Sequence, residues 1–568
     1  MQVRRYPNTD VSQLPAEIPA RLRQILARRG VKSAAQLQLA AQQLPHFREL
    51  HQVQDAARCI VDALQAQRRF CVCGDFDADG ATSTALLVSA LQAFGATQVQ
   101  YLVPNRFADG YGLSPAVVAA AVEQGAEILI TVDSGIACHA GVDAAKQAGM
   151  TVIVTDHHLP GEQLPNADFI VNPNQPDCRF PSPNIAGVGV AFYLLLAIRD
   201  ECRQRQLAQA QVNVAQWLDL VALGTVADVV KLDHVNRILV QQGLARIKAG
   251  ACRPGIKALL QLAGRELPSL TASDLGFAVG PRINAAGRLD DMALGIECLL
   301  AQTDSSAYAM AQQLDHLNRE RRAIETEMRE QAADYVVQIS REGELPPILA
   351  LYEPQWHQGV IGIVAGRVKE QYQRPVIAFA KADNGELKGS ARSIPGLHIR
   401  DLLDRVNTTA PGLITRFGGH AMAAGLSLPE ANFAQFQQQL LAVSERFIGA
   451  ADLAQVVWSD GELDSVELSE PFVRQIAQYG PWGQGFAEPM FDGEFQLLSH
   501  RIVGERHLKL VLANADQVAL DAIYFNIDTA QWPQADCQRV HCVYKLQLNH
   551  FRGRTSVQLL VEHLAAIG

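Results

Sequence analysis

The reading turns on Phe70-Cys71-Val72-Cys73-Gly74-Asp75-Phe76-Asp77-Ala78-Asp79-Gly80. Four apolar residues closed by a glycine read as a short strand buried on both faces. The loop behind it carries three carboxylates at alternate positions. These repel one another, and such a cluster is tolerable mainly when a cation neutralises it. The plainer readings are a solvated turn with an aspartate cap or an EF-hand loop. An EF-hand needs a helix in front and a closing Glu, and here a strand precedes.

Outward from this stretch the pattern repeats. Val99–Val103, Ile128–Val132, Val152–Thr155 and Phe169–Val171 read as strands. Helices are predicted over 81–94, from the Ser114 cap and Pro115 to Glu123, and up to Gln147. Strands alternating with helices at this spacing predict an α/β domain whose mostly parallel sheet is covered on both faces. The strand at 128–132 runs into Asp133-Ser134-Gly135, and the next into Asp156-His157-His158. Carboxyl ends of parallel strands are where open α/β sheets bind ligands. One acid after a strand is commonly a cap, but three successive instances, the last with paired histidines, are hard to explain that way. Asp228 closes the apolar segment Gly224-Thr225-Val226-Ala227 and is either a fourth participant or a plain helix terminus. Carboxylates with one imidazole favour Mn²⁺ or Mg²⁺ over thiolate-bound zinc. Two such ions, ~3.5–4 Å apart, would polarise a phosphoryl group, activate water and stabilise a leaving oxygen. Phosphodiester hydrolysis is the chemistry that this favours.

The remaining chain divides by composition. Residues 1–50 read as a helical extension without legible chemistry, and 51–305 as the domain just described, mainly helical beyond 184. Residues 306–340 contain no Gly or Pro and predict one long connecting helix. After the boundary at Gly343–Pro347, residues 341–450 carry a second α/β unit. It has strands at 348–351 and 376–379, a helix over 362–372 and a turn at Asp383–Gly385. Residues 451–568 lose the helical period and predict a small β-barrel from segments at 508–512, 518–525, 540–548 and 556–561.

The chain has 568 residues, with 59 acidic against 49 basic side chains and a net charge of −10. That argues against a broad basic coat for nucleic acid. The charge is segregated, however. Residues 455–500 are strongly acidic, whereas 500–554 carry Arg501, Arg506, Lys509, Arg539, Lys545, Arg552 and Arg554 among Tyr524, Phe525, Tyr544 and Phe551. Those aromatics are either stacking faces for single strands or barrel core. Ten scattered cysteines without a C-x-x-C pair fit a reducing compartment and not a zinc ribbon. The N-terminal residues lack an apolar stretch, and the longest, Ile185–Ile198, falls short of a membrane span. A soluble cytoplasmic protein without membrane partners is expected. No Gly-Lys pair exists, so ATP-driven motion has no support.

The order Asp-x-Asp, Asp, Asp-His-His, Asp resembles the DHH phosphoesterases, and in detail their single-strand-specific 5′→3′ exonuclease branch. The likeness extends over nearly the whole chain. It includes Pro104-Asn105-Arg106, Gly110-Tyr111-Gly112, Gly280-Pro281-Arg282-Ile283-Asn284-Ala285-Ala286-Gly287-Arg288, His357-Gln358-Gly359-Val360-Ile361-Gly362, Gly389-Ser390-Ala391-Arg392-Ser393 and Arg416-Phe417-Gly418-Gly419-His420. The resemblance implies one ion held by Asp79, Asp133, His157 and Asp228, and a second by Asp75, Asp77 and the bridging Asp133. His158 would contact the scissile phosphate, and Asp156 would orient a histidine. Pyrophosphatase-like members carry a histidine where this chain has Cys73, which leaves Asp75 as the available ligand. The second α/β unit would be the DHH-associated domain. In it Gly418-Gly419-His420 would suit phosphate, and Ser390 and Arg392, with Arg106, would bind a terminal 5′-phosphate. Arg282 and Arg288 would follow the DNA backbone. The C-terminal barrel would be an OB-fold. A narrow passage between the α/β domains would select single strands. Single-strand binding protein and a helicase are the implied partners, in recombination and repair. A phosphatase acting on small substrates and a non-catalytic DNA-binding scaffold are the competing readings. The C-terminal domain speaks against the first and the full ligand set against the second.

Overall fold

The computed structural model describes the chain apart from residues 1, 107–110, 343, 383–384, 450–451, 454–455, 505, 528–531, 533–536, 552 and 568, and the side chains of 342 and 551. Gly110, Gly343, Asp383, Arg552 and the Phe551 side chain, all singled out above, lie outside the described residues. The chain forms two compact units. One comprises residues 3–281, 295–311 and 457–568, and the other mainly 282–294 and 312–456.

In the first unit the N-terminal residues include the short strand β1 (Gln2–Arg5) and helix Ala20–Arg28. The central sheet follows, with β2 (Phe70–Cys73), β3 (Val99–Leu102), β4 (Ile128–Val132), β5 (Thr151–Thr155) and β6 (Phe169–Val171). Its order is β3-β2-β4-β5-β6, and every pairing is parallel. All residues of β2 and β4 are buried, as a sheet covered on both faces requires. The chain steps outward from β2 to β3, then returns past β2 to lay down β4. The winding therefore reverses between β2 and β4, and such a reversal opens a crevice at the strands' carboxyl ends. The loops carrying Asp75–Asp79 and Asp133 leave the sheet at that point.

Helix Ala78–Ala93 begins three residues before its expected start. The Asp77 carboxylate accepts hydrogen bonds from the Asp79 and Gly80 N–H groups at 2.9 and 3.0 Å, so the acidic loop is itself the first turn's cap. The Ser114 cap with Pro115 behind it stands as expected, opening helix Pro115–Glu123.

The second unit holds a mixed sheet of β7 (Leu349–Tyr352), β8 (Val376–Lys381), β9 (Glu386–Arg392), β10 (Arg416–Gly419) and β11 (Ala423–Pro429). The order is β10-β11-β9-β8-β7, parallel only between β7 and β8. Sequence reading found β7 and β8 but not β9 to β11. In β9 the inward residues Leu387, Gly389 and Ala391 are mostly small and alternate with Lys388, Ser390 and Arg392, which leaves little apolar signal. The long helix runs from Asp304 to Glu342, 39 residues and about 58 Å at 1.5 Å per residue. Within this unit its Met328, Ala332 and Val336 bury against Leu349, Trp356, Val360 and Val364.

The C-terminal part of the first unit starts with β12 (Val456–Ser459), which pairs with β1. Helix Glu470–Gln478 follows and corrects the all-β expectation. Pro471 at its start and buried Phe472, Val473 and Ile476 at helical spacing were the overlooked signal. Then β13 (Phe491–Val503), β14 (His507–Ala513), β15 (Ala519–Tyr524), β16 (Arg539–Phe551) and β17 (Arg554–Ile567) close a barrel in the order β13-β14-β15-β17-β16. Tyr544 is core, against Phe491 and Phe495, while Phe525 is exposed. Lys509, Arg539 and Lys545 pair with Asp521, Glu494 and Glu562.

The N-terminal residues, read as a helical extension without legible chemistry, grip this acidic segment. Arg29 donates both ends of its fork to Asp460 at 2.7 and 2.6 Å, with Arg28 beside it. Arg21 pairs with Glu467 and Arg5 with Asp492, and Tyr6 stacks on Trp458 at 5.0 Å. No helix among the described residues is long and apolar enough to cross a membrane.

Candidate metal centre and phosphate-binding groups

Six aspartates and two histidines converge where β2, β4 and β5 end. Ligand atoms of Asp79, His157 and Asp228 lie within 4.8 Å of one another, as do those of Asp75, Asp77 and Asp133, and those of Asp133, His157 and His158. The first group holds three of the four residues expected around one ion, without Asp133, and the second holds the three expected around the other. Asp228 caps the end of helix Leu218–Ala227 and points its carboxylate at His157 Nε2, 3.5 Å away.

Backbone geometry positions each group. Asp133 adopts a left-handed φ of 58° immediately after its strand. Asp79 is held by the first turn of helix Gly187–Gln204, whose Gly187 and Val188 N–H groups donate to it at 2.6 and 3.1 Å. Residue 187 must be glycine, because a Cβ there would lie 2.7 Å from the Asp133 Oδ1. Asp156 accepts from the N–H groups of Ile136, His157 and His158, and binds His158 Nδ1 at 2.7 Å. Asn172 and Asn174 donate to the carbonyls of His158 and His157 and fix the histidine loop from below.

The electrostatics separate supported charges from unsupported ones. Burial, with the neighbouring Asp77 charge, pushes Asp75 up to about 8 and Asp79 up to about 7. Burial and the Asp79 charge raise Asp133 and Asp228 well above the usual carboxylate range. Burial lowers His157 to about 4, leaving a neutral imidazole. Burial opposes charge on His158 too, but the Asp156 hydrogen bond outweighs it and raises the pKa. For Asp156 the hydrogen bonds likewise outweigh burial, and its pKa is lowered. Asp133 Oδ1 and His157 Nε2 are buried 3.1 Å apart without a hydrogen bond that satisfies either. Orphaned donor atoms of this kind, clustered acids and a neutral imidazole fit a divalent cation, Mn²⁺ or Mg²⁺. Cys73 is buried with its thiol pKa raised, so it stays protonated and offers no thiolate.

Arg106 lies beside this cluster in the same unit. Its guanidinium carbon sits 4.0 Å above the centre of the Phe76 ring, and its Nε is buried without a partner among the described residues. Phe76 and Tyr111 were quoted in the motifs but given no role.

In the second unit, Arg392 Nη1 donates to Ser390 Oγ at 3.0 Å on β9. The first turn of helix Ile361–Tyr372 abuts this pair. A Cβ at Gly362 would lie 2.8 Å from Arg392 Nη2 and 2.9 Å from Ser390 Oγ, so any side chain there would displace this pair. A helix N-terminus beside an arginine and a hydroxyl suits an anion. Gly418 and Gly419 are the exposed last residues of β10 and His420 follows them; Gly419 has φ 141° and the His420 N–H donates to the Ala423 carbonyl. Arg288 donates to the Gly359 carbonyl at 3.0 Å. Arg282 is buried and ion-paired with Asp315 at 2.9 Å, a setting at odds with a freely presented backbone contact.

Comparison with known proteins places these features. Family profiles match the DHH family N-terminal domain over residues 69–225, the DHHA1 domain over 345–448 and the RecJ OB domain over 459–563. The single-stranded-DNA-specific exonuclease RecJ of Dickeya dadantii is 53% identical over 99% of each chain. A crystal structure of RecJ from Thermus thermophilus in complex with Mn²⁺ matches all of this chain and 80% of its own, with a TM-score of 0.82 and 30% identity. The complex of that organism's RecJ with Mg²⁺ matches all of this chain and 79% of its own, with a TM-score of 0.76 and 28% identity.

Proposed function

The chain belongs to the family of RecJ single-stranded-DNA-specific exonucleases, and from that premise we propose that it shortens single strands from the 5′ end, releasing 5′-mononucleotides. It is a metal-dependent phosphodiester hydrolase of the DHH type. The observation that carries the reading is the pair of buried, unsatisfied ligand atoms on Asp133 and His157 within a ring of carboxylates of raised pKa.

Asp79, Asp133, His157 and Asp228 are assigned to one ion, and Asp75, Asp77 and Asp133 to another. When bound, the ions supply Lewis acidity and lower the pKa of water. The chain's own groups do the rest. His157 stays neutral and presents a lone pair. Asp156 holds the His158 ring with its Nδ1 hydrogen-bonded, which favours the protonated imidazole and orients it as a proton donor. Water attacks the phosphorus between the first and second nucleotides and gives up a proton to solvent. The P–O3′ bond breaks, and His158 delivers a proton to the departing 3′-oxygen. The phosphate stays on the second nucleotide, so each cut regenerates a 5′-phosphate end.

Recognition of that end is assigned to Arg106 in one unit and to Ser390 and Arg392 in the other. Gly418, Gly419, His420 and Arg288 are assigned to phosphates along the strand. Arg282, ion-paired with Asp315, is assigned to the same phosphates. The barrel binds the strand beyond the site. Single-strand binding protein and a helicase are the expected partners, in recombination and repair. The test is digestion of 3′-labelled single strands bearing a 5′-phosphate or a 5′-hydroxyl. Arg392→Ala is expected to lose about tenfold in preference for the phosphate, and an unchanged preference contradicts the assignment.

A further inference from the structure

Four side chains in the first unit form an unbroken stack. Arg106 lies over Phe76 at 4.0 Å, and Phe76 meets Tyr111 edge-on, with centres 5.9 Å apart at 78°. Tyr111 meets His158 edge-on at 5.9 Å and 80°, and its hydroxyl stands 3.4 Å from each ring nitrogen. The same hydroxyl donates to the Asp133 carbonyl oxygen at 3.3 Å. Gly112, at φ 72°, packs so closely on Cys138 that a Cβ would lie 2.6 Å from its sulfur, which anchors the residue after Tyr111.

The ends of this stack are two groups with assigned roles. Arg106 has a buried Nε without a hydrogen-bond partner among the described residues, so the Phe76 face is the contact that orients its fork. His158 is pinned at Nδ1 by Asp156, and the Tyr111 hydroxyl stands within 3.4 Å of both ring nitrogens. Perpendicular ring packing resists sliding more than a liquid-like apolar contact does, because edge and face carry opposite partial charge. The rings therefore behave as a spacer of fixed length.

We infer that Phe76 and Tyr111 are positioning residues that set the distance between the arginine reading the 5′-phosphate and the histidine at the cut, and so set the product at one nucleotide. This rests on the assignment of Arg106 to the terminal phosphate. Substituting either ring by a flexible aliphatic side chain lets Arg106 hold the end at more than one distance. Longer first products follow, together with weaker discrimination between phosphate and hydroxyl ends.

The experiment digests 5′-labelled single strands with Mn²⁺ and resolves the first labelled product by length. In parallel, rates on 3′-labelled strands with a 5′-phosphate or a 5′-hydroxyl are compared. Phe76→Leu and Tyr111→Leu are expected to release di- and trinucleotides beside mononucleotides and to lose about tenfold in phosphate preference. Phe76→Tyr and Tyr111→Phe keep the rings and are expected to restore both. Tyr111 is half-exposed, so Tyr111→Leu decides the matter if Phe76→Leu does not fold. Slower cutting by Tyr111→Leu, with mononucleotides only and the preference intact, overturns the inference. Arg106→Ala serves as the control on its premise. If that variant keeps the phosphate preference, the phosphate assignment itself fails, whatever the ring variants do.

Discussion

Two groups of buried aspartates in the same unit meet the cost of burial in opposite ways. Asp460 and Asp492 sit under the N-terminal residues with arginine partners: Arg28 and Arg29 for the first, Arg5 for the second, with Ser459 and His541 also donating to Asp492. Burial alone would raise Asp492, but these donors outweigh it and lower its pKa. Asp75, Asp79, Asp133 and Asp228 are set against one another, with Arg106 near Asp75 too weak an offset, and their pKa values rise. The lesson concerns which buried acids are functional. Carboxylates paired by arginine hold structure together, while carboxylates set against one another call for an external cation.

This contrast can be broken by substitution. Asp133→Asn is expected to abolish nuclease activity by a thousandfold or more, on the order expected for loss of a metal ligand. The fold should survive, because the substitution removes an unfavourable charge. Activity on single strands and thermal unfolding without metal check both halves. Asp460→Asn is expected to do the reverse. It leaves Arg29 buried without its counter-charge and should cost about 3–5 kcal/mol in urea unfolding. The folded variant should still cut short strands. If Asp460→Asn is neutral for stability and Asp133→Asn unfolds the chain, the two clusters have been misassigned.

The contrast also has a pH signature. A carboxylate whose folded pKa is raised stabilises the fold fully below its unfolded value, near 3.8, and loses that contribution as pH rises through the folded value. For Asp79 and Asp75 the loss extends to about pH 7 and pH 8. The metal-free protein should therefore melt at a lower temperature at pH 8 than at pH 6, and Mn²⁺ should raise the melting temperature more at pH 8. Equal Mn²⁺ shifts at both pH values would show that the raised acids are not the ligands. The smallest effect is expected from Tyr6→Ala. Loss of its stacking on Trp458 should cost about 1 kcal/mol without changing activity, measured by urea unfolding.

The catalytic sheet and its acids were legible because parallel strands are continuous apolar runs, and the acids sit at their ends. Asp228 was harder, since a helix terminus carries an acid for many reasons, and only the fold brings it to His157. The donors that hold Asp79 come from Gly187 and Val188, more than a hundred residues away, and no local pattern announces them. The N-terminal grip on Asp460 was missed for the same reason. The excess of acid over 455–500 was visible in the sequence, but its arginine partners lie in a helical extension that showed no legible chemistry. Strand β9 went unseen because glycine and alanine face inward where larger residues would have declared the period. Phe76 and Tyr111 were visible only as letters in motifs, since stacking depends on relative placement that spacing does not encode.

The central claim is that the opposed aspartates form a divalent-cation site that cuts single-stranded DNA from its 5′ end. The most direct test is digestion of a 5′-labelled single strand by the wild-type protein and Asp133→Asn, each in Mn²⁺ and in EDTA. Labelled mononucleotide is expected from the wild-type protein in Mn²⁺ alone. Cutting in EDTA, or by Asp133→Asn at the wild-type rate, would contradict it.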